Sequence, residues 1–179
     1  MASETPRMAL IGFGEAGSTF ARAGQWGGKA RACDILESRQ AAMAECGVTA
    51  AGSAEQALDG AELVLSLVTA DAALAVDSDH ATTLQADAIW CDMNSVAPET
   101  KRAAAQAIEA HGGRYVDVAV MAPVQPAALD VPLLLSGPAA GEAERMLNAA
   151  GFANTRVVGS EVGRASAIKM IRSVMVKGL

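Results

Sequence analysis

The chain has 179 residues, 51% hydrophobic and 19% charged, which suits one well-buried domain and excludes a disordered polymer. A net charge of −6 supplies no basic face for phosphate neutralisation, so nucleic acid is not an expected partner, and no apolar run reaches the ~18 residues of a membrane span. Cys33, Cys46 and Cys91 are odd in number and outside any CxxC, which points to reduced thiols in a cytoplasmic protein, without a disulfide framework or zinc site.

Residues 1–6 read as a polar tail. Met8 to Ile11 is a short apolar segment that runs into Gly12, Gly14 and Gly17, and a helical run follows to about Gly24. Strand, tight glycine turn and helix in that order form the GxGxxG fingerprint of a dinucleotide site. Its six residues here are Gly12, Phe13, Gly14, Glu15, Ala16 and Gly17. The first glycine permits the turn, the second lets main chain approach a pyrophosphate, and the third lets the helix pack closely. Free N–H groups and the dipole at the helix start then face the phosphates.

Gly27-Gly28 mark a turn, and Lys29 to Asp34 reads as a second strand. Asp34 lies 20 residues beyond Gly14, where the fingerprint places an acid that accepts hydrogen bonds from the adenosine ribose. A carboxylate there repels a 2′-phosphate and favours NAD, although Arg39 nearby keeps NADP open; a plain strand-end aspartate in a turn is the alternative. Ser38 is expected to cap a helix from Arg39 to Glu45, stopped by Gly47. A short strand near Val48-Thr49 and a helical turn from Ser53 through Leu58 follow.

Ala61 to Thr69 is nearly all apolar, as in a strand buried on both faces of a parallel sheet. Asp71 to Leu84 is Ala-rich with polar clusters and has no assignable period. Ala88 to Asp92 is the next strand, and Pro98 opens a helix that runs through His111 to Gly112-Gly113. Tyr115 to Val120 and Pro132 to Leu135 are strand-like, Glu142 to Ala150 is a helix, and Thr155 to Val158 is another short strand. From Gly163 the chain reads as helix to its last residue. Such alternation predicts an α/β, Rossmann-type, doubly wound and mostly parallel sheet. With aromatics at only 3%, its core is expected to consist of Ala, Val, Leu, Ile and Met.

Ligands of such sheets bind beyond the carboxyl ends of the strands. Val68 and Thr69, and Asn94 and Ser95, occupy two such ends, so they are candidate cofactor or substrate contacts. For Asn94 and Ser95, N-capping of the helix at Pro98 is an equal alternative. Lys169 stands among Ile168, Ile171 and Met175. A helical lysine is ordinarily a solvated charge, but a partly desolvated one has a lowered pKa and can exchange a proton with a substrate hydroxyl. His80 and His111 have no partners that suggest a triad or metal site.

Four segments resemble, in order, the β-hydroxyacid dehydrogenase family, which includes 3-hydroxyisobutyrate and 6-phosphogluconate dehydrogenases. They are GFGEAG at Gly12–Gly17, DMNSVAP at Asp92–Pro98, the YVDVAV strand from Tyr115, and GRASAIK at Gly163–Lys169. The resemblance implies that Lys169 is the catalytic lysine that takes the hydroxyl proton while hydride passes to the nicotinamide. It also implies that Ser95 contacts cofactor or substrate and that Val68 and Thr69 line the nicotinamide side. Two positions depart from the family. Met121-Ala122-Pro123 replaces a Ser-Gly-Gly segment that holds the substrate carboxylate, and Ser173 replaces a substrate-touching asparagine. The substrate is therefore expected to differ from the family's usual ones, as in a little-characterised 6-phosphogluconate dehydrogenase-like branch.

Family members continue through the last helix into an all-helical domain that closes the site and forms a dimer. The expectation is accordingly a dinucleotide-binding domain over residues 1–162, with 163–179 starting an interdomain helix of a longer, homodimeric protein. The expected activity is NAD(P)-dependent hydride transfer with a small hydroxyacid-type substrate. A non-catalytic NAD(H)-binding module, and an imine reductase relative that reduces C=N with NADPH, are the alternatives.

Overall fold

A computed structural model describes residues 3–178. The glycine turn separates β1 (Met8–Ile11) from α1 (Glu15–Gly24). There follow β2 (Ala30–Cys33), α2 (Arg39–Glu45), β3 (Thr49–Ala50), α3 (Ala54–Leu58) and β4 (Leu63–Ser66). The second half contains α4 (Ala73–His80), β5 (Ile89–Asp92), α5 (Pro98–Glu109), β6 (Arg114–Val120) and β7 (Leu133–Ser136). It closes with α6 (Ala140–Ala149), β8 (Thr155–Gly159) and α7 (Arg164–Lys177).

The strands form one sheet in the order β3-β2-β1-β4-β5-β6-β7-β8. Every neighbouring pair is parallel except β6 and β7. Between those two the chain makes only a 3-10 turn at Ala128–Asp130 in place of a crossover helix, and the strand returns antiparallel. The winding reverses between β1 and β4, which opens a crevice beyond their carboxyl ends.

β4 and β5 are buried at every position because helices cover both faces. One layer centres on Phe20, Trp26, Met43, Leu147 and Phe152, the other on Leu58, Trp90, Ile108 and Tyr115. The core is thus not purely aliphatic. Both tryptophans, the tyrosine and all three phenylalanines are inside, and Phe20 meets Phe152 edge-on at 5.1 Å. Each such ring removes roughly 150–250 Å² from water, so a few of them fill the middle of a layer.

Two local expectations need correction. Ser38 does not cap α2, because its backbone is already helical (φ −57°, ψ −17°) and its hydroxyl makes no capping bond. Ser53, extended at φ −153° and ψ 163°, does cap α3, accepting from Gln56 N at 3.2 Å. The unassigned stretch from Asp71 holds α4 followed by a 3-10 turn at Ala81–Thr83. Its inward face is Ala73, Asp77 and Ala81, four residues apart, so a buried carboxyl interrupts the apolar stripe. Along α7, Ile171, Met175 and Val176 lie exposed.

Candidate functional site

A cleft of about 480 Å³ lies over the β1–β4 crevice. Gly12, Gly14, Asp34, Leu67, Val68 and Thr69 line it, with Arg39 at its outer side. Gly12 turns the chain at φ +95°, and a Cβ there would sit 2.3 Å from the Leu67 carbonyl oxygen. A Cβ on Gly14 would instead meet nothing within 4 Å, so the space above that residue is open to the cleft. No side chain caps α1, which leaves the amides of its first turn available to an anion. The Asp34 carboxylate accepts from Phe13 N at 2.7 Å and from Leu36 N at 2.8 Å. It therefore holds the glycine turn against β2 while keeping lone pairs for further donors. Phe13 turns its ring into the core, Ala16 packs against that core, and Glu15 is exposed. Gly17 lies close beneath the turn, where a Cβ would come 3.0 Å from Gly12 O. Of the fingerprint, only Gly12 and Gly14 line the cleft.

A second, smaller pocket of about 260 Å³ lies beyond β5 and β6. It brings together Asn94, Ser95, Lys169 and Ser173 with apolar Val96, Ala119 and Met170. Lys169 Nζ donates to Ser95 Oγ at 2.7 Å. Burial, with the nearby charge of Lys101, holds the Lys169 ammonium below the usual lysine range. Because Ser95 Oγ is the acceptor, its own proton is free for an oxygen placed in the pocket. Neither Asn94 nor Ser95 caps α5, whose N-cap is Ala97 without a side-chain bond.

Asn94 stands between the two cavities. Its Oδ1 accepts from Val68 N at 2.9 Å, and its Nδ2 donates to Ser66 Oγ at 3.0 Å and to Asp92 Oδ1 at 2.8 Å. Both amide protons are thereby used within the protein, so Asn94 shapes the cleft wall at Val68 while lining the Lys169 pocket.

Beneath the pocket runs a feature that sequence reasoning missed. Ser66, Asp92, Asp117 and Ser136 pair in register across β4, β5, β6 and β7, forming one polar row through the sheet. The Lys101 side chain, 0% exposed, descends on it from α5. Its ammonium donates to Asp92 O at 2.6 Å and lies 3.2 Å from both Asp92 Oδ1 and Asp117 Oδ1. The Tyr115 hydroxyl donates to Asp92 Oδ2 at 2.5 Å. Burial pushes the Asp92 carboxyl up, but Lys101 and the Tyr115 hydroxyl outweigh it and leave the group below its ordinary value.

Asp77 reaches the row from α4, its Oδ1 accepting from Trp90 Nε1 at 3.0 Å. Its Oδ2 has no N–H or O–H donor. Burial, with the adjacent Asp92 charge, raises the Asp77 carboxyl to about 9. The shift favours the protonated acid over a second carboxylate beside Asp92. The signal in the sequence was the polar residue closing each apolar strand, at Ser66, Asp92 and Ser136; the alignment of those ends depends on register.

A family model described as the NAD binding domain of 6-phosphogluconate dehydrogenase matches residues 7–159. A conserved hypothetical protein from Sinorhizobium meliloti 1021 is similar in structure, with a TM-score of 0.91 and 39% identity over 98% of this chain and 61% of that one. A conserved protein of unknown function, itself structurally similar to 3-hydroxyacid dehydrogenases, aligns with a TM-score of 0.83 and 34% identity over 96% of this chain and 64% of that one. An imine reductase variant from Myxococcus stipitatus, in complex with NAD+, aligns with a TM-score of 0.83 and 25% identity over 97% of this chain and 61% of that one. The chain spans less than two thirds of the length of each of these relatives.

Proposed function

The chain belongs to the family of the NAD-binding domain of 6-phosphogluconate dehydrogenase, and from that premise we propose NAD(P)-dependent oxidoreduction of a small hydroxyacid-type substrate. The carrying observation is the 2.7 Å contact of Lys169 with Ser95, in a pocket lined by Asn94, whose Oδ1 braces Val68 on the wall of the glycine cleft. Gly12, Gly14 and the start of α1 hold the diphosphate, and Val68 and Thr69 line the nicotinamide end. A nicotinamide, when bound, supplies the hydride acceptor. Lys169, in its free-amine form, takes the substrate hydroxyl proton on Nζ. Ser95 donates its free proton to the same oxygen and orients it, with Ser173, one turn beyond Lys169 on α7, also lining the pocket. A helical second domain seated on the exposed face of α7, in a homodimer, completes the enclosure.

NADH fluorescence titration tests binding, and absorbance with a hydroxyacid panel tests turnover. Lys169→Ala is expected to keep NADH affinity and to cost roughly 10²–10⁴-fold in turnover. Unchanged turnover removes Lys169 from the mechanism. Both turnover measurements are made on the full-length protein that carries the helical domain, where NADH binding with no turnover returns the site to a non-catalytic module.

Asp34 sets cofactor choice. Its carboxylate supports the turn for either dinucleotide but opposes a 2′-phosphate, while Arg39 would attract one. Asp34→Ala is expected to weaken NADH by about tenfold or more and NADPH distinctly less. Equal losses in parallel titrations would reduce Asp34 to support of the turn. A second reading, reduction of C=N with NADPH, is favoured by the likeness to the imine reductase and by Met121-Ala122-Pro123 where the hydroxyacid enzymes hold a carboxylate. Cyclic imines offered in the same assay separate the two.

A further inference from the structure

The pocket's two reactive groups come from different parts of the chain, Ser95 from the loop after β5 and Lys169 from the second turn of α7. Helix α7 starts at a glycine, Gly163, and has no side-chain cap of its own. Its first-turn donors are instead taken by the sheet. Ser136 Oγ accepts from Ala165 N at 3.0 Å, and Asp117 Oδ2 accepts from Ser166 N at 3.0 Å. Ser166 Oγ also donates to Asp117 Oδ1 at 2.6 Å. Two strands thus cap a helix that cannot cap itself, with a carboxylate at the positive end of its dipole.

The other arm is anchored as tightly. Asp92 Oδ1 accepts from both the main-chain and the side-chain nitrogen of Asn94, at 2.9 and 2.8 Å, which fixes the residue before Ser95. Lys101 lies between the anchors, bridging Asp92 and Asp117. A buried ammonium is costly unless every proton is satisfied, and here each has an oxygen within 3.2 Å. On a surface helix facing solvent no such group would be needed.

Resting on the assignment of Lys169 above, we propose that Lys101, acting through Asp117 and Ser166 on one side and Asp92 and Asn94 on the other, is the positioning residue that holds Lys169 against Ser95. Lys101 touches neither cavity and does not react. It fixes the separation of the two arms, and its charge bears on the Lys169 ammonium across the same row. Asp92, Asp117 and Lys101 are the charged groups beneath Lys169, and Asp77 lies beyond them.

The test reads Lys169 itself and so does not depend on turnover. Trace acylation of the 179-residue chain with acetic anhydride, quantified by mass spectrometry across pH, gives the reactivity midpoint of Lys169 against that of Lys177 as an internal reference. In the parent the Lys169 midpoint lies below the reference. Lys101→Met is expected to raise it, since repulsion is lost and the arms separate. Ser166→Ala cuts only the hydroxyl tie to Asp117 and is expected to raise the midpoint by a smaller step, with Ser166→Thr restoring it. If Lys101→Met fails to fold, judged by circular dichroism, the Ser166 pair decides. A Lys169 midpoint that stays put in folded Lys101→Met, or is the same in Ser166→Ala and Ser166→Thr, overturns the proposal. Loss of the proton-transfer role would show separately, as unchanged turnover in Lys169→Ala with the midpoint shifts intact.

Discussion

Gly12 and Gly14 answer opposite needs of one turn: the first is set by the protein around it, the second leaves open space above the main chain. At Gly12 a methyl group meets the Leu67 carbonyl and an unfavourable positive φ at once. Gly12→Ala is therefore expected to cost about 2 kcal/mol or more of stability. Gly14→Ala has no steric partner within the protein. It is expected to leave Tm within about 2 °C of the parent while weakening NADH by about tenfold or more, because a diphosphate loses its approach to the main chain. Thermal melts beside NADH titrations check both. The glycine turn and its neighbour Asp34 were legible in the sequence because they carry their meaning in local spacing, whereas Lys169 was singled out only through the family resemblance of GRASAIK. Lys101 was not, since a lysine one turn into a helix that opens at Pro98 reads as solvated until the fold buries it.

Helix α4 shows why an element can escape its own sequence. Its inward stripe contains Asp77, so the apolar period fails where the polar row needs a partner. The carboxyl there is raised to about 9 in the fold, against about 3.9 for an unfolded chain. Between those values the native state holds a proton that the unfolded state has released, so the contribution of the Asp77 site is complete below about pH 4 and is lost as pH rises toward 9. Asp77→Asn presents an amide N–H to Asp92 in place of the acid proton, with nothing to titrate. Its gain over the parent is expected to be small near pH 5 and to reach about 1–3 kcal/mol near pH 8, in denaturant melts at the two pH values. A gain that is flat with pH would mean that Asp77 is ionised throughout. The opposite sign applies to Asp92, whose lowered carboxyl stabilises the fold above its ordinary range and gives up that contribution as pH falls.

Across the whole molecule, the alternation of strand and helix was enough to predict the doubly wound sheet, since each apolar run has the length of a buried strand. The antiparallel return at β7 and the alignment of Ser66, Asp92, Asp117 and Ser136 were not readable, because both are decided by pairing between segments far apart in the chain. The two cavities have no lining residue in common. They communicate through one amide, Asn94, which braces Val68 on one side and borders Lys169 on the other. The grip on the nucleotide and the choice of what reacts are in that sense separate trades practised under one roof. Under the proposed function, Met170, Ser173 and Val96 are open to rewriting for a new substrate with the glycine cleft untouched, so this scaffold would lend itself to drift in chemistry at a constant redox currency.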